Sequence, residues 1–447
     1  MSCQSLADEV VDWVERGCRM KLESCKKLAF GRCVPLEETV QRLEAVIGAR
    51  HDYRLFETKV SDRLYWSALY IDDLEFRSMG KGITPLQAKA GALAECAEWA
   101  GAKDHAELQG YTVGHQDNIP NAVGIEELIS HVAVSEKVVE RVKQSDIAMF
   151  WVDGVSLMTG KTAKIPIEFV RRISGPSGMA AGNRREEAIV HAIEEVFERR
   201  VHITVLRQKL VMPTIDPDTV VHPVVREQME FVKSQGIEVY LKDLTFGGVL
   251  PCVGAYFWDP NIPESYQFHH FFKVGAGFNL EDALVRVFTE YAQGRMRDEF
   301  IDGNKADQER VLKYDLRALK CIPDAGDNYL SAFMFGFVPQ VTAEYLKEGP
   351  VVPFQKGEVF GDCLQDIAKA KEIFAQLGKE CYVIDFTDPE IDFPVVEIVV
   401  PGYSDVLPYY PPDSRVLFQH YTRSDILRSY DAVEGEQSAG GASHKAF

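Results

Sequence analysis

Between Arg184 and Arg200 the chain writes one helix with two incompatible faces. Glu187, His191, Glu195 and Glu198 fall at i, i+4, i+8 and i+11, a single stripe, while Ile189, Ile193, Val196 and Phe197 form an apolar stripe beside it. Three carboxylates in line within a helix repel one another. At about 4 Å and an effective dielectric of about 20, each contact costs on the order of 4 kcal/mol. A fold that buries this helix must therefore bring cations to it, and removing one carboxylate from an uncompensated stripe should relieve repulsion. Hard cations with oxygen ligands, Mg²⁺ above all, bridge carboxylates to phosphates in this way. The preceding stretch, Ser177-Gly-Met-Ala-Ala-Gly-Asn183, reads as a glycine-rich turn that breaks into the helix. Asn183 then sits near the helix start, where backbone N–H groups and the dipole favour an anion.

Two other helices carry the same kind of anomaly. Gly80-Lys81-Gly82 precedes an alanine-rich helix at 88–102 in which Glu95 and Glu98, at i and i+3, stack two carboxylates among Ala90, Gly91, Ala92 and Ala94. Small neighbours of this kind suit close helix packing or a tight ligand; a solvated carboxylate pair is the alternative. The segment from Leu280 to Arg297 places Arg286, Glu290, Gln293 and Arg297 on one face, with Arg295 close by. Two carboxylate-rich helices and one guanidinium-rich helix together suit a triphosphate with its metal ions.

Composition narrows the classes. There are 49 Lys and Arg against 68 Asp and Glu, a net charge of −19, which argues against a basic nucleic-acid binder or an anionic-lipid binder. The nine cysteines lack any C-x-x-C spacing and predict neither a disulfide framework nor a ribbon-type zinc site. No stretch approaches the roughly 18 apolar residues of a membrane span, and the expectation is a cytoplasmic protein. A Walker-type phosphate loop is absent, and Gly275-Ala276-Gly277 lacks the rest of a dinucleotide fingerprint. His269-His270 lies in an alternating run whose adjacent residues face opposite ways, and reads as two strand histidines.

Strand patterns at 53–72, 148–156, 238–244, 251–258, 266–274, 380–386 and 395–400 are interspersed with helical patterns at 37–46, 88–102, 185–206, 222–235, 280–299 and 362–377. This order predicts a mixed α+β fold rather than a strict βαβ repeat. Residues 1–27 read as an N-terminal helical segment, 28–430 as one domain without a clean linker, and 431–447 as a disordered Gly/Ser/Ala-rich tail.

At these residues the sequence resembles the YcaO family, ATP-dependent enzymes that activate peptide backbone amides. The matching runs are Gly80-Lys81-Gly82 with Ala92 to Glu98, then Ser177 to Asn183 with Val196-Phe197-Glu198-Arg199, then Thr289-Glu290-Tyr-Ala-Gln293-Gly-Arg295. They occur in the family's order, together with Lys242-Asp-Leu-Thr-Phe-Gly-Gly248 and Val400-Pro-Gly402. The resemblance implies a YcaO-type α+β fold with its ATP and Mg²⁺ site between the motif helices. It implies metal ligands at Glu95, Glu98, Glu195 and Glu198, and nucleotide contacts from Arg32, Thr39, Lys81, Asn183, Glu187, Arg199, Arg286, Gln293 and Arg295. Trp99 and Ala180 depart from the family pattern, which often has Arg and Ser there.

In the family scheme a nucleophile adds to a backbone carbonyl, ATP phosphorylates the oxyanion, and phosphate leaves. The product is an azoline or, with sulfide, a thioamide. The partners implied are a peptide or protein substrate, a sulfur-delivery or precursor-binding protein, and a second copy in a homodimer, with neither nucleic acid nor membrane. The motifs look most like those of stand-alone bacterial members associated with methylthiolation of a ribosomal protein. An ATPase that assists another enzyme, and a nucleotide-binding regulator without turnover, are the competing readings.

Overall fold

The computed structural model describes residues 20–406 except 62, 75, 109–110, 130–148, 176, 262–268, 302–343 and 390. The disordered-tail reading of 431–447 and most of the 1–27 segment lie outside the described residues. Eight α-helices are described: α1 (Leu36–Arg50), α2 (Pro85–Leu108), α3 (Ile125–Leu128), α4 (Ile167–Ser174), α5 (Arg185–Gln208), α6 (Pro223–Ser234), α7 (Leu280–Ile301) and α8 (Cys363–Gln376). The strands are β1 (Arg54–Ser61), β2 (Leu64–Ile71), β3 (Phe76–Gly82), β4 (Thr112–Gly114), β5 (Met149–Ser156), β6 (Thr162–Pro166) and β7 (Met179–Ala181). They continue with β8 (Thr214–Ile215), β9 (Glu238–Asp243), β10 (Cys252–Trp258), β11 (His270–Ala276), β12 (Val351–Val352), β13 (Tyr382–Asp385) and β14 (Val395–Val399). This is the mixed α and β architecture that the interspersed patterns predict.

The chain forms two compact units, one of Lys26–Glu98 and Ile193–Asp366, the other of Met1–Cys25, Trp99–Ala192 and Ile367–Phe447. The first contains two sheets: β1-β2-β3, antiparallel throughout, and β11-β10-β9-β8-β12. Strand β10 is apolar over nearly its whole length and buried on both faces, because α7 packs on it and on β11. Phe257 of β10 stacks on Tyr291 of α7 with ring centroids 4.0 Å apart, in a core shared with Val225, Leu241 and Phe288. All seven residues of β11 are buried as well, Lys273 among them.

Gly80 lies within β3. A Cβ on Gly80 would lie 1.9 Å from the Ala88 carbonyl oxygen and 2.3 Å from the Ala92 nitrogen. The small residues of α2 thus serve contact between helix and strand backbones, closed by a 2.8 Å bond from Ser78 Oγ to the Ala92 carbonyl. This motif is structural before it is anything else.

The second unit is built on the sheet β4-β5-β13-β14-β7, with β6 added on β5. Met179–Ala181, read from sequence as part of a turn, pairs as β7 with Val395–Glu397, and Gly182 N donates to the Pro394 carbonyl before α5 begins. The helical reading of residues 1–27 does not hold over 20–27, where no helix forms and Lys26 makes an isolated antiparallel bridge to Asp362. The cysteine reading is also corrected. Cys25 and Cys33 are each disulfide-bonded, a state that spacing alone does not encode. No helix among the described residues is long and apolar enough to cross a membrane.

Candidate functional site

In the unit of Lys26–Glu98 and Ile193–Asp366, charges from two helices and two strands meet. Lys81 of β3 ion-pairs with Glu290 of α7. Lys273 of β11 lies 3.8 Å from Glu290 and 3.4 Å from Glu198 of α5. Arg199, next on α5, is 3.3 Å from Glu195 and 4.0 Å from Glu198. One turn back on α5, Glu194 is 2.9 Å from Arg286 of α7, whose guanidinium also donates to the Ala276 carbonyl. The cations that the α5 carboxylate stripe demands are therefore supplied by the protein.

Backbone geometry fixes these positions. Gly275 and Gly277 serve close packing: a Cβ on Gly275 would lie 2.5 Å from the Ala283 carbonyl of α7, and one on Gly277 would lie 2.6 Å from the Arg286 guanidinium. Glu95 of α2 accepts a 2.9 Å bond from the Met79 N–H, two residues ahead of Lys81 on β3, which ties the α2 carboxylate to the strand that feeds the cluster. Glu98 lies one turn further along α2 and is half-buried.

The electrostatics follow from burial plus unlike charge. Burial alone would raise the Glu290 carboxyl, but Lys273, Lys81 and Arg199 outweigh it and hold this group far below the usual carboxylate range. Burial opposes the charge on Arg199, and Glu195, Glu198 and Glu290 overcome it, so the guanidinium stays charged. His202, one turn beyond Glu198, is the reverse case. Burial first, then Lys273 and Arg199, push its imidazole well below its ordinary value, and it packs neutral against Phe272 with ring centroids 5.4 Å apart.

The other residues singled out by sequence have these places. Thr39 is buried in the first turn of α1, its hydroxyl donating to the Pro35 carbonyl at 3.2 Å, and Arg32 precedes that helix with its carbonyl accepting from Leu28 N. Asn183 and Glu187 belong to the second unit, where the Asn183 amide donates to both Glu187 oxygens at 3.2 and 3.4 Å. Near the start of α5, Asn183 thus serves a carboxylate of its own helix. Gln293 and Arg295 fall on α7, and the readings of their side chains lie outside the described residues. Lys242 is structural: its buried ammonium donates to the Met212 carbonyl, Thr214 Oγ1 and the Glu348 carbonyl, and burial pushes it down to about 8. The histidine pair is also accounted for, with His270 Nδ1 2.6 Å from the Tyr256 hydroxyl and His269 Nε2 accepting from Trp258 Nε1 at 3.2 Å.

Sequence reading missed Lys273 and Glu194 and gave Glu290 no separate role. Lys273 could have been found, since it is a lone ammonium inside the run Phe271-Phe272-Lys273-Val274, where a buried strand wants none. Glu194 carried no such signal, because it falls off the Glu187–Glu195–Glu198 stripe.

All the anionic donors of the cluster are carboxylate oxygens, a donor set that fits Mg²⁺. The family described as YcaO cyclodehydratase, ATP- and Mg²⁺-binding, matches residues 79–404, a span that takes in α2, α5 and α7. The chain belongs to the YcaO family. Its relatives include the ribosomal protein S12 methylthiotransferase accessory factor YcaO of Escherichia coli (strain K12), 26% identical over 251 residues, which are 56% of this chain and 39% of that protein. The chain thus spans well under half the length of that curated relative. Among solved structures, YcaO from Methanopyrus kandleri bound with AMPPCP and Mg²⁺ superposes with a TM-score of 0.60 at 19% identity, covering 86% of this chain and 95% of that one. A heterocyclase in complex with substrate and cofactor gives a TM-score of 0.64 at 20% identity over 86% of this chain and 54% of that one. These likenesses establish the YcaO fold.

Proposed function

We propose that this chain is an ATP- and Mg²⁺-dependent enzyme that activates a peptide backbone amide by phosphorylation, giving a thioamide or an azoline in a peptide or protein substrate. The observation that carries the reading is the Glu198–Lys273–Glu290 cluster, two carboxylates and an ammonium brought within 4 Å in a largely buried site inside the family-matched span. Bound ATP supplies the phosphoryl group and Mg²⁺ offsets its charge. The chain's own residues do the rest: Glu195 and Glu198, with Glu95 and Glu98 of α2, offer hard oxygen ligands. Lys81, Lys273, Arg199 and Arg286, which now pair with carboxylates, are the cations available to phosphate oxygens. Positioning and charge neutralisation are the principal protein contributions to phosphoryl transfer.

The name of the E. coli relative supports a second reading, an ATPase that assists a methylthiotransferase. Both readings involve a protein substrate or partner, and a homodimer is compatible with each. Incubation with ATP, Mg²⁺ and candidate peptides, following ADP release and peptide mass together, tells them apart. Loss of water marks an azoline, exchange of oxygen for sulfur a thioamide, and ADP release without a mass change the accessory reading. No Mg²⁺-dependent ADP release under any of these conditions would overturn both.

A further inference from the structure

Cys33 and Cys363 are 330 positions apart in sequence, and their sulfurs lie 3.5 Å from one another. The segment between Lys26 and Cys33 is clipped to the start of α8 at several points. Lys26 bridges to Asp362, Lys27 N donates to the Gly361 carbonyl at 3.0 Å, and Lys27 Nζ is 2.7 Å from an Asp366 oxygen. Cys33 is disulfide-bonded, whereas Cys363 is in the thiol form.

Position separates Cys363 from the other buried thiols. It is the first residue of a 14-residue helix, and its side chain is fully buried there. The buried carboxylates flanking it, Asp362 and Asp366, are each matched by a lysine, Lys26 at 3.3 Å and Lys27 at 2.7 Å. Cys96, Cys252 and Cys381 are buried thiols as well. The Cys363 sulfur lies 3.5 Å from that of disulfide-bonded Cys33.

We propose that Cys33 and Cys363 are a thiol–disulfide exchange pair. The Cys363 thiolate attacks Cys33 Sγ, a Cys33–Cys363 bond forms, and the bond that now holds Cys33 breaks. The displaced sulfur leaves with the electron pair as a thiolate and takes up a proton in place of the one Cys363 gives up. No net oxidation or reduction occurs, so the step requires no external oxidant. Exchange turns a hydrogen-bonded clip into a covalent link that fixes the segment carrying Arg32 to the start of α8. The link itself does not rest on any nucleotide role for Arg32.

The test is non-reducing peptide mapping of the full chain after equilibration in glutathione buffers of graded thiol-to-disulfide ratio, acid quenching and alkylation. The expected result is a peptide pair joined through Cys33 and Cys363, with the displaced thiol alkylated in the same molecules. Cys363→Ser should abolish that pair and leave Cys33 in its present disulfide. Complete alkylation of Cys363 in the native wild type at every ratio would overturn the proposal. So would stoichiometric zinc held by these sulfurs. Where Cys363→Ser fails to fold, the wild-type map decides alone.

Discussion

The Lys273 ammonium lies 3.4 Å from Glu198 Oε1, with side chains only 8% and 15% exposed. A strand of the core thus sends its one cation to a helix whose sequence demands one. That relationship reverses an inference from spacing. An uncompensated carboxylate stripe would be relieved by losing a charge, whereas a stripe already paired with Lys273 and Arg199 loses a partner instead.

Glu198→Gln should therefore lower stability without bound nucleotide by about 1–2 kcal/mol, since Lys273 keeps Glu290 as a partner. It should also abolish Mg²⁺-dependent ADP release, because an amide is a poor ligand for a hard dication. Urea denaturation and a coupled ADP assay read the two effects. A more stable variant would return the stripe to simple repulsion, and undiminished ADP release would remove Glu198 from the site.

Lys273→Met leaves two carboxylates short of a buried cation. Breaking one side of a buried pair costs about 3–5 kcal/mol in general, and the Lys81 contact to Glu290 places the expected loss at the low end of that range. A change in urea stability of less than about 1 kcal/mol, the value typical of an exposed pair, would contradict the buried-network account.

Glu290 sets an acid limit. Its folded-state carboxyl is depressed by Lys273, Lys81 and Arg199 despite burial. Its contribution is present above the unfolded carboxylate range and is lost as pH falls through the folded value. Stability should thus decline as pH drops below about 4.5, and Glu290→Gln should flatten that decline while lowering stability at neutral pH. Parallel slopes for the two proteins in pH-dependent urea melts would refute the assignment.

ATP should bind with micromolar to millimolar affinity only when Mg²⁺ is present. Lys81, Lys273, Arg199 and Arg286 are each engaged by a carboxylate, so a bare triphosphate meets few uncommitted cations. Calorimetry in excess chelator should show no binding in that range, and equal affinity would count against metal-dependent binding.

Gly80→Ala tests the strand–helix contact behind the first motif. The added methyl would overlap helix backbone at Ala88 and Ala92, where no side chain can swing away. A cost of about 3 kcal/mol is expected, at the upper end of the typical overpacking range, together with weakening of the Met79–Glu95 bond. A thermal midpoint unchanged from wild type would show that β3 and α2 separate freely.

Helix and strand periodicity were largely written in the sequence. Helices read at 185–206, 222–235, 280–299 and 362–377 occur within a few residues of α5 to α8, because their apolar spacing coincides with the faces that pack. The short strands β7, β8 and β12 were not legible, since two or three residues carry too little alternation to declare themselves before a partner pairs with them. Within the site, the sequence by itself determined that α5 bears more negative charge than a buried helix tolerates. Only the tertiary structure decided which cations answer it. Lys81 is 209 positions from Glu290 and Lys273 is far from Glu198 along the chain, and ion pairing acts through space at a few ångströms, a distance that backbone packing at Gly80 and Gly275 sets and that sequence separation does not.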